Sequence, residues 1–459
     1  MLPFLNREHS VAKPGFSRWL VPPAALAIHL SIGQVYAFSV FKNPLLALKA
    51  ADGSLWNQKE IGYIFSIAIA VLGLSAALLG EWLEAAGPRK AMFVSASCFG
   101  LGFLVAACGV EVHSLALIYF GYGVIGGIGL GIGYISPVST LIRWFPDRPG
   151  LATGMAIMGF GGGAMIGSPL GAKLMVFYRM SGHQPIAATW VTMGVLYFIF
   201  MMFGVFTIRI PEPGWKPAGW APKATKSALI STQIVDVNTA FGTVQFWLLW
   251  IVLCLNVTAG IGILEQASPM IQDLFKGHVS PVAAAGFVGV LSLFNMGGRF
   301  FWSSTSDFIG RKPTYMIFFL TGAVLYWLLP TTGTSHLNSV PLFVLIAGLL
   351  ISMYGGGFAT IPAYLKDLFG GYQVSAIHGR LLTAWSTAGI VGPLIVNGIL
   401  DHYVARRIPK EQAYPTILHI MAGLLGGGVC CKSTGAARGR EILDQDSSGS
   451  DGLGDRKEG

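Results

Sequence analysis

Apolar runs long enough to cross a membrane recur from one end of this chain to the other, with short polar segments between them. Wound as an α-helix, about 20 apolar residues span the hydrocarbon core of a bilayer. The pattern therefore predicts an all-α polytopic membrane protein with twelve transmembrane helices. We place them near residues 19–42, 60–83, 90–110, 114–142, 150–178, 186–208, 245–267, 281–304, 314–331, 341–364, 377–400 and 414–431.

The longest polar segment inside this pattern divides the chain into two halves. It covers residues 209–244 and begins with a Pro- and Lys-rich stretch, which favours a cytoplasmic linker over a helix. We therefore expect an N-terminal six-helix bundle at 19–208 and a C-terminal six-helix bundle at 245–431. Residues 1–18 would form a cytoplasmic N-terminus, and the polar residues 432–459 a disordered cytoplasmic tail.

The last predicted helix departs from the pattern near its end. Its apolar start gives way to glycines at 426–428 and cysteines at 430 and 431. From residue 415 to 431 an α-helix rises only about 25 Å, short of a core about 30 Å thick. Either a shifted reading frame near Leu425 truncates this helix, or the helix is short and tilted and the tail is natural.

Lys and Arg residues are more numerous in the loops on one side of the predicted bilayer than on the other. An excess of these residues marks the cytoplasmic side. It predicts a multi-pass plasma-membrane protein with both termini in the cytoplasm. Orientation in the bilayer also explains the net charge of +9, so we expect no nucleic-acid partner.

Arg299 is the one full charge that the pattern places deep inside a predicted helix. It lies in an apolar stretch, and Asp307, which marks the end of that helix, is about 12 Å further along. An ionisable residue at this depth indicates a functional site. Arg keeps its proton, and its planar fork suits a carboxylate. We expect Arg299 to bind an anion; the alternative is an Arg that pairs with backbone carbonyls or extends to the membrane interface.

The loops after the second and eighth predicted helices carry the same short pattern of an acid, a Gly and basic residues. The first copy has Glu84, Gly87 and Arg89, and the second has Asp307, Gly310 and Arg311. In both copies the Gly can turn the chain after the acid ends a helix. A repeat displaced by about half the chain indicates the parallel duplication found in secondary transporters.

These loops resemble the acid-Gly-Arg motif of the major facilitator superfamily, and the resemblance covers nearly the whole chain. It implies two six-helix bundles that rock about a central site. It also implies a latch that closes the cytoplasmic side of the outward-open state. The latch residues would be Glu84, Arg89, Asp307 and Arg311. In the first copy, Glu84 stands where the motif usually has Asp, and Pro88 stands where a basic residue is common. We therefore expect the first copy of the latch to be altered.

Glycines at three- and four-residue spacing fill several predicted helices, as in the stretches 121–133 and 159–163. Such spacing lets helix backbones approach closely in lipid. No strand precedes these glycines, which argues against a nucleotide-binding loop. We predict dense helix packing there and no cofactor.

Aromatic residues lie near the middle of several predicted helices and suggest a small box around Arg299. Tyr354 and Phe358, for example, are four residues apart and share a helix face. The predicted members are Tyr36, Tyr134, Phe160, Tyr354, Phe358 and Trp385. Packing between helices is the alternative for each ring. For His29 we favour a hydrogen-bonded structural role, with a proton site as the alternative.

Three stretches bring a closer resemblance, to the oxalate/formate antiporter family within that superfamily. They are residues 33–44, 143–152 (RWFPDRPGLA) and 295–302 (NMGGRFFW). The resemblance implies a substrate held among aromatic rings between an Arg of the eighth helix and a Lys of the eleventh. Arg299 matches that Arg, and the matching aromatic positions are Tyr36, Tyr134 and Phe160, the last replacing a Tyr.

Trp385 stands where the resemblance implies the Lys, and this changes the expected substrate. Burying a second carboxylate without a partner would cost several kcal/mol of desolvation free energy. We therefore expect a small organic anion with one carboxylate, carried by alternating access through exchange or proton symport. An oxalate/formate-type dicarboxylate exchanger that uses Arg380 or His29 as its second cation is one alternative. A membrane sensor that does not transport is another.

The remaining expectations concern class and partners. No Ser/His/Asp grouping and no pair of carboxylates falls at membrane depth, so we do not expect an enzyme. The expected partners are a small organic anion, the lipid bilayer and, where transport is proton-coupled, protons. We expect a monomer without a metal ion.

Overall fold

The computed structural model of the chain describes residues 3–49, 53–220, 235–333 and 337–428. Ten of the described helices are long and apolar enough to cross a membrane. Two more, Pro281–Ile309 and a helix at 413–428, complete a pattern of twelve spans. The prediction of an all-α membrane protein with twelve spans is confirmed.

The two halves contain six spans each, numbered here in chain order. The N-terminal half has Val21–Ile32 with Gly33–Ala37 and Ser39–Leu46, then Gln58–Ala86, Pro88–Glu111, Leu115–Ile118 with Tyr119–Ile125 and Gly126–Trp144, Pro149–Met180 and Pro185–Thr207. The C-terminal half has Val244–Leu274, Pro281–Ile309, Arg311–Leu328, Val340–Phe369, Val374–Leu381 with Thr383–Ala405, and 413–428. Short helices at Pro3–Leu5, Arg7–Ser10, Arg18–Leu20, Val237–Phe241, Leu329–Gly333 and Lys410–Gln412 lie between or before them.

The halves meet mainly along two pairs of spans. The second span packs against the eleventh, and the fifth packs against the eighth. These are the second and fifth spans of each half, so the interface follows the internal repeat. A site at the centre of this interface receives side chains from both halves.

The predicted turn glycines take up matching backbone conformations in the two halves. Gly87 ends the second span at φ 83° and ψ 163°, and Gly310 ends the eighth at φ 92° and ψ 155°. This left-handed φ favours Gly, because a Cβ would be strained there. The sequence repeat is therefore also a structural repeat, as predicted.

Glycines let the spans approach each other closely, as their spacing predicted. A Cβ added at Gly129 would lie 2.7 Å from the backbone nitrogen of Phe99, and one at Gly102 would lie 2.7 Å from that of Gly126. Distances this short leave no room for a side chain. Dense helix packing in the N-terminal half is confirmed.

The first span is interrupted at the depth of the predicted box. The α-helix Val21–Ile32 continues as a tighter 3-10 turn at Gly33–Ala37. A Cβ added at Gly163 of the fifth span would lie 2.6 Å from the Cα of Gly33. Backbone contact between these spans brings the interrupted segment, which carries Tyr36, against Phe160.

Several predictions fall on residues outside the described part of the chain. The linker predicted at 209–244 is described only at 209–220 and 235–244. The tail at 432–459 and the end of the last helix beyond residue 428 lie outside it. The choice between a truncated last helix and a short natural one therefore stays a prediction.

Candidate substrate site between the two halves

Arg299 is fully buried where the eighth span crosses the fifth and tenth. Glycines make room for it on both sides. A Cβ added at Gly161 would lie 3.0 Å from Arg299 Nε, and one at Gly355 would lie 3.0 Å from its Cγ. Arg299 Nε donates to Asn295 Oδ1 at 2.9 Å, one turn earlier on the same span. This bond fixes the inner part of the side chain and leaves the end of the fork to face the interface.

The guanidinium lies between two aromatic rings, one from each half. Its Cζ is 5.5 Å from the ring centre of Phe160 and 5.2 Å from that of Phe358. A cation over a ring face is attracted by the quadrupole of the ring, by about 2 kcal/mol where both are desolvated. The rings thus stabilise a charge that has no carboxylate beside it among the described residues.

The predicted aromatic residues come together around Arg299. We use the name aromatic box for Tyr36, Tyr134, Phe160, Tyr354, Phe358 and Trp385. Tyr36 and Tyr354 share a hydrogen bond of 2.8 Å between their hydroxyls, across the two halves. Tyr36 is partly exposed, whereas the other five are buried. Tyr36 is therefore the most exposed member of the box.

Trp385 lies at the centre of the aromatic box. Its ring centre is 4.4 Å from that of Phe358 and 5.3 Å from those of Tyr134 and Phe160. Trp385 is on the eleventh span, and Tyr134 and Phe160 belong to the other half. A bulky apolar ring thus occupies the place where the resemblance implies a Lys.

Several buried polar atoms of this site have no hydrogen-bond partner among the described residues. They are Arg299 Nη1 and Nη2, the Tyr134 hydroxyl and Trp385 Nε1. The hydroxyls of Tyr36 and Tyr134 lie close enough to act on the guanidinium both electrostatically and as weak hydrogen-bond partners, although neither makes a hydrogen bond of ordinary geometry to Nη1 or Nη2. Buried donors are normally satisfied, and each exception calls for an explanation. A ligand that offers only acceptor oxygens would satisfy all four atoms.

His29 lies beside the box, bound to backbone. Its Nδ1 contacts the Ala156 carbonyl oxygen, and its Nε2 is 3.1 Å from that of Tyr134. A neutral imidazole has one N–H, so it donates to one of these oxygens at a time. These contacts support the structural role of His29 over a proton site, which stays a prediction.

Two further residues belong to this region but were missed from the sequence. Asn295 holds Arg299, and its position four residues earlier on one helix was the available signal. His378 of the eleventh span is buried, its ring centre is 5.9 Å from that of Tyr134, and its Nε2 has no described partner. A His near a helix end gives no sequence signal for such a position.

The second copy of the predicted latch joins the halves at one end of the molecule, which we call the latch end. Asp307 accepts the backbone N–H groups of Gly150 and Leu151, both at 2.9 Å, at the start of the fifth span. Arg311 Nη2 donates to Asp307 at 2.7 Å, and its Nε donates to Asp367 at 2.9 Å. An anion at the start of a helix is stabilised by its free N–H groups and dipole.

The first copy is built differently from the predicted set. Glu84 accepts the backbone N–H of Ser375, at the start of the eleventh span, at 3.3 Å, and pairs with Arg143. Arg89 does not reach Glu84. It donates to the carbonyl oxygens of Phe4 at 2.8 Å and Ile208 at 3.4 Å. The reason is that the N-terminal segment and the end of the sixth span pack against Arg89 and supply these acceptors.

Among the residues that the structure describes, no group of three or more His, Cys, Asp or Glu side chains is close enough to hold a metal ion. The chemical features of the site are one buried cation, unpartnered donors and apolar ring faces. Such a site can bind and release a small anion between the two halves.

Comparison with known proteins places this architecture in a family. The Major Facilitator Superfamily profile matches residues 15–393. The oxalate:formate antiporter of Oxalobacter formigenes is 26% identical over 378 residues, covering 82% of this chain and 83% of that protein. Apicoplast pyruvate carrier 1 of Toxoplasma gondii is 24% identical over 437 residues, covering 83% and 76% respectively. The structure of a proton:xylose symporter superposes with a TM-score of 0.58 at 15% identity, covering 89% and 94%.

These comparisons confirm the resemblance that the loop motifs and the RWFPDRPGLA stretch indicated. The similar proteins are transporters rather than enzymes. This chain belongs to the major facilitator superfamily, as a multi-pass membrane protein that works as a secondary transporter.

Proposed function

We propose that this transporter carries a small monocarboxylate by alternating access, with the carboxylate paired to Arg299. The observation that supports this most strongly is the buried guanidinium, whose two terminal nitrogens make no hydrogen bond of ordinary geometry with the described residues. A carboxylate offers two acceptor oxygens at the spacing of the guanidinium fork. Charge-assisted bonds of this kind contribute about 1.5–3 kcal/mol each.

The charge of the site supports one carboxylate rather than two. Among the described residues, the ring and hydrogen-bond contacts of Arg299 and the aromatic box include no second Lys or Arg. Trp385 offers apolar surface to the tail of the substrate. Two of the similar proteins, an oxalate:formate antiporter and a pyruvate carrier, are named for small carboxylates.

The mechanism follows from the cost of burying a charge. In an empty site the charge of the guanidinium is not compensated, so removing water from around it on closure costs free energy. A bound carboxylate neutralises the guanidinium, so the loaded site closes more easily and the halves can rock. This favours exchange of one anion for another, with proton symport as the second form of coupling.

We place the protein in the plasma membrane as a monomer, with both termini in the cytoplasm.

The test is uptake of labelled pyruvate, lactate and formate into proteoliposomes, with and without internal substrate and a proton gradient. For Arg299→Ala we expect uptake to fall about a hundredfold or more, because a bidentate pair of about 3 kcal/mol is lost. Arg299→Lys keeps the charge without the fork and should retain part of the activity. Arg406→Ala, at an exposed position of the same half, is the matched control. Uptake by Arg299→Ala at the control level would contradict the proposal.

Oxalate/formate exchange is the second candidate, favoured by the similarity to the oxalate:formate antiporter. It predicts oxalate uptake at neutral pH that is driven by internal formate. Uptake of monocarboxylates without oxalate in the same vesicles would reject it.

A further inference from the structure

The eleventh span brings a second group with a free polar atom to the wall of the aromatic box. His378 and Trp385 are seven residues apart on this span, on either side of the break between Val374–Leu381 and Thr383–Ala405. Both rings contact Tyr134, at 5.9 Å and 5.3 Å between centres. His378 is buried, and its Nε2 has no partner among the described residues. It therefore borders the site from the latch end of the eleventh span.

Two other residues that could supply a second positive charge are engaged elsewhere. Arg380 turns away from the box, donates to Glu81 at 3.4 Å and lies 5.4 Å from the ring centre of Phe241. His29 has both ring nitrogens against backbone carbonyl oxygens. His378, by contrast, has an Nε2 without a partner among the described residues, and its ring lies against Tyr134 of the aromatic box.

We propose that His378 is a conditional second cation, which takes up a proton together with a dicarboxylate bound to Arg299. The inference rests on the proposed function, because Arg299 must hold the first carboxylate. With one carboxylate bound, Arg299 alone balances the charge and His378 stays neutral. With two bound, a proton on His378 restores neutrality, and the loaded site can close as it does around a monocarboxylate.

The surroundings of His378 provide no competing anion at the box. Tyr134 of the fourth span touches its ring, and His29 of the first span interacts with it electrostatically. Glu84 of the second span pairs with Arg143, and Glu81 pairs with Arg380.

The tenth span and the helix Val237–Phe241 also pack against the segment that carries His378. Their titratable or charged groups near the latch end are Tyr364, Lys366, Asp367 and Asp236. Asp367 pairs with Arg311, and Asp236 caps its own helix.

The test is competition for binding of labelled pyruvate to the full-length protein in detergent, at about pH 5.5 and about pH 7.5, on either side of the ordinary imidazole pKa. Oxalate and fumarate serve as a short and a longer competitor, because both remain dianions across this range. In the wild type we expect at least one dianion to compete about tenfold or more better at the lower pH, since one linked proton changes affinity up to about tenfold per pH unit. The pH should have little effect on pyruvate itself.

Variants separate this inference from a general effect of pH. His378→Asn should remove the pH dependence of dianion competition, and His378→Lys should make competition strong at both pH values. His278→Asn, at an exposed His of the same half, is the matched control and should behave as the wild type. Equal dianion competition at both pH values in the wild type would overturn the inference, and so would a pH dependence that persists in His378→Asn. If the wild type binds no pyruvate at either pH, the proposed function itself fails.

Discussion

The two copies of the predicted latch follow one rule and differ in the number and length of the bonds that the acid accepts. In each half, an acid at the end of the second helix accepts backbone N–H groups at the start of the fifth helix of the other half. Asp307 makes two such bonds at 2.9 Å, to Gly150 and Leu151. Glu84 makes one at 3.3 Å, to Ser375. Duplication has preserved the position of the acid, while the support around it has changed.

The spacing of the basic residue explains much of this difference. Arg311 follows its acid by four residues and pairs with it at 2.7 Å. In the first copy Pro88 occupies the equivalent place, and Arg89 follows Glu84 by five. One residue turns a helical side chain by about 100°, so Arg89 points to other acceptors. Arg143 of the fourth span pairs with Glu84 instead.

Removing the acid of the stronger copy should give the largest effect. Asp307→Ala loses two charge-assisted bonds and an ion pair, about 3 kcal/mol in total. We expect the ratio of latch-closed to latch-open molecules to fall about a hundredfold. Spin labels at the residues that follow the two acids, Ala85 and Phe308, both exposed, would measure this as a shift to longer distances.

The control for this experiment is Asp401→Ala, which removes an exposed carboxylate of the eleventh span far along the chain from the latch. It should leave the distance distribution unchanged. A distribution for Asp307→Ala that equals the control would mean that the latch end is held closed by other contacts.

Much of this comparison could be predicted from the sequence, because it depends on local signals. The acid-Gly pattern was visible in both halves, and Gly87 and Gly310 adopt the conformation that it indicated. Arg299 and the aromatic residues were visible because charge and ring size are unusual in apolar runs. The pairing of Glu84 with Arg143 was missed, because it depends on how the second and fourth spans pack. His378 was missed for the same reason, because only the packing of neighbouring spans shows that it is buried and that its Nε2 has no described partner.

Removing the acid of the weaker copy should give a smaller effect. Glu84→Ala loses one long bond to Ser375 and a partly exposed pair with Arg143, together about 1 kcal/mol. We expect the closed-to-open ratio to fall about fivefold, measured with the same pair of labels. Arg143→Ala should resemble it, since it leaves Glu84 without its partner. An effect of Glu84→Ala as large as that of Asp307→Ala would show that the two copies contribute equally.

Arg89→Ala should have the smallest effect on the latch, although the repeat predicted Arg89 as a latch residue. Its contacts are to the carbonyl oxygens of Phe4 and Ile208, so its removal should loosen the N-terminal segment at residues 3–10. Chymotrypsin should then cleave near Phe4 faster than in the wild type. The distances between labels at Ala85 and Phe308 should stay close to those of the wild type. The free-energy difference between the closed and open forms should change by less than about 0.5 kcal/mol, the range of most surface substitutions.

The N-terminal segment has other attachments, which make this result specific to Arg89. Backbone bonds of 2.9 Å join Ser10 and Ala12 to Ile210, and Arg18 pairs with Asp147 at 2.7 Å. Cleavage near Phe16 should therefore stay slow while cleavage near Phe4 accelerates. If Arg89→Ala instead opens the latch as far as Glu84→Ala does, the basic residues of the two copies have kept the same role. The difference between the copies would then lie in the acids alone.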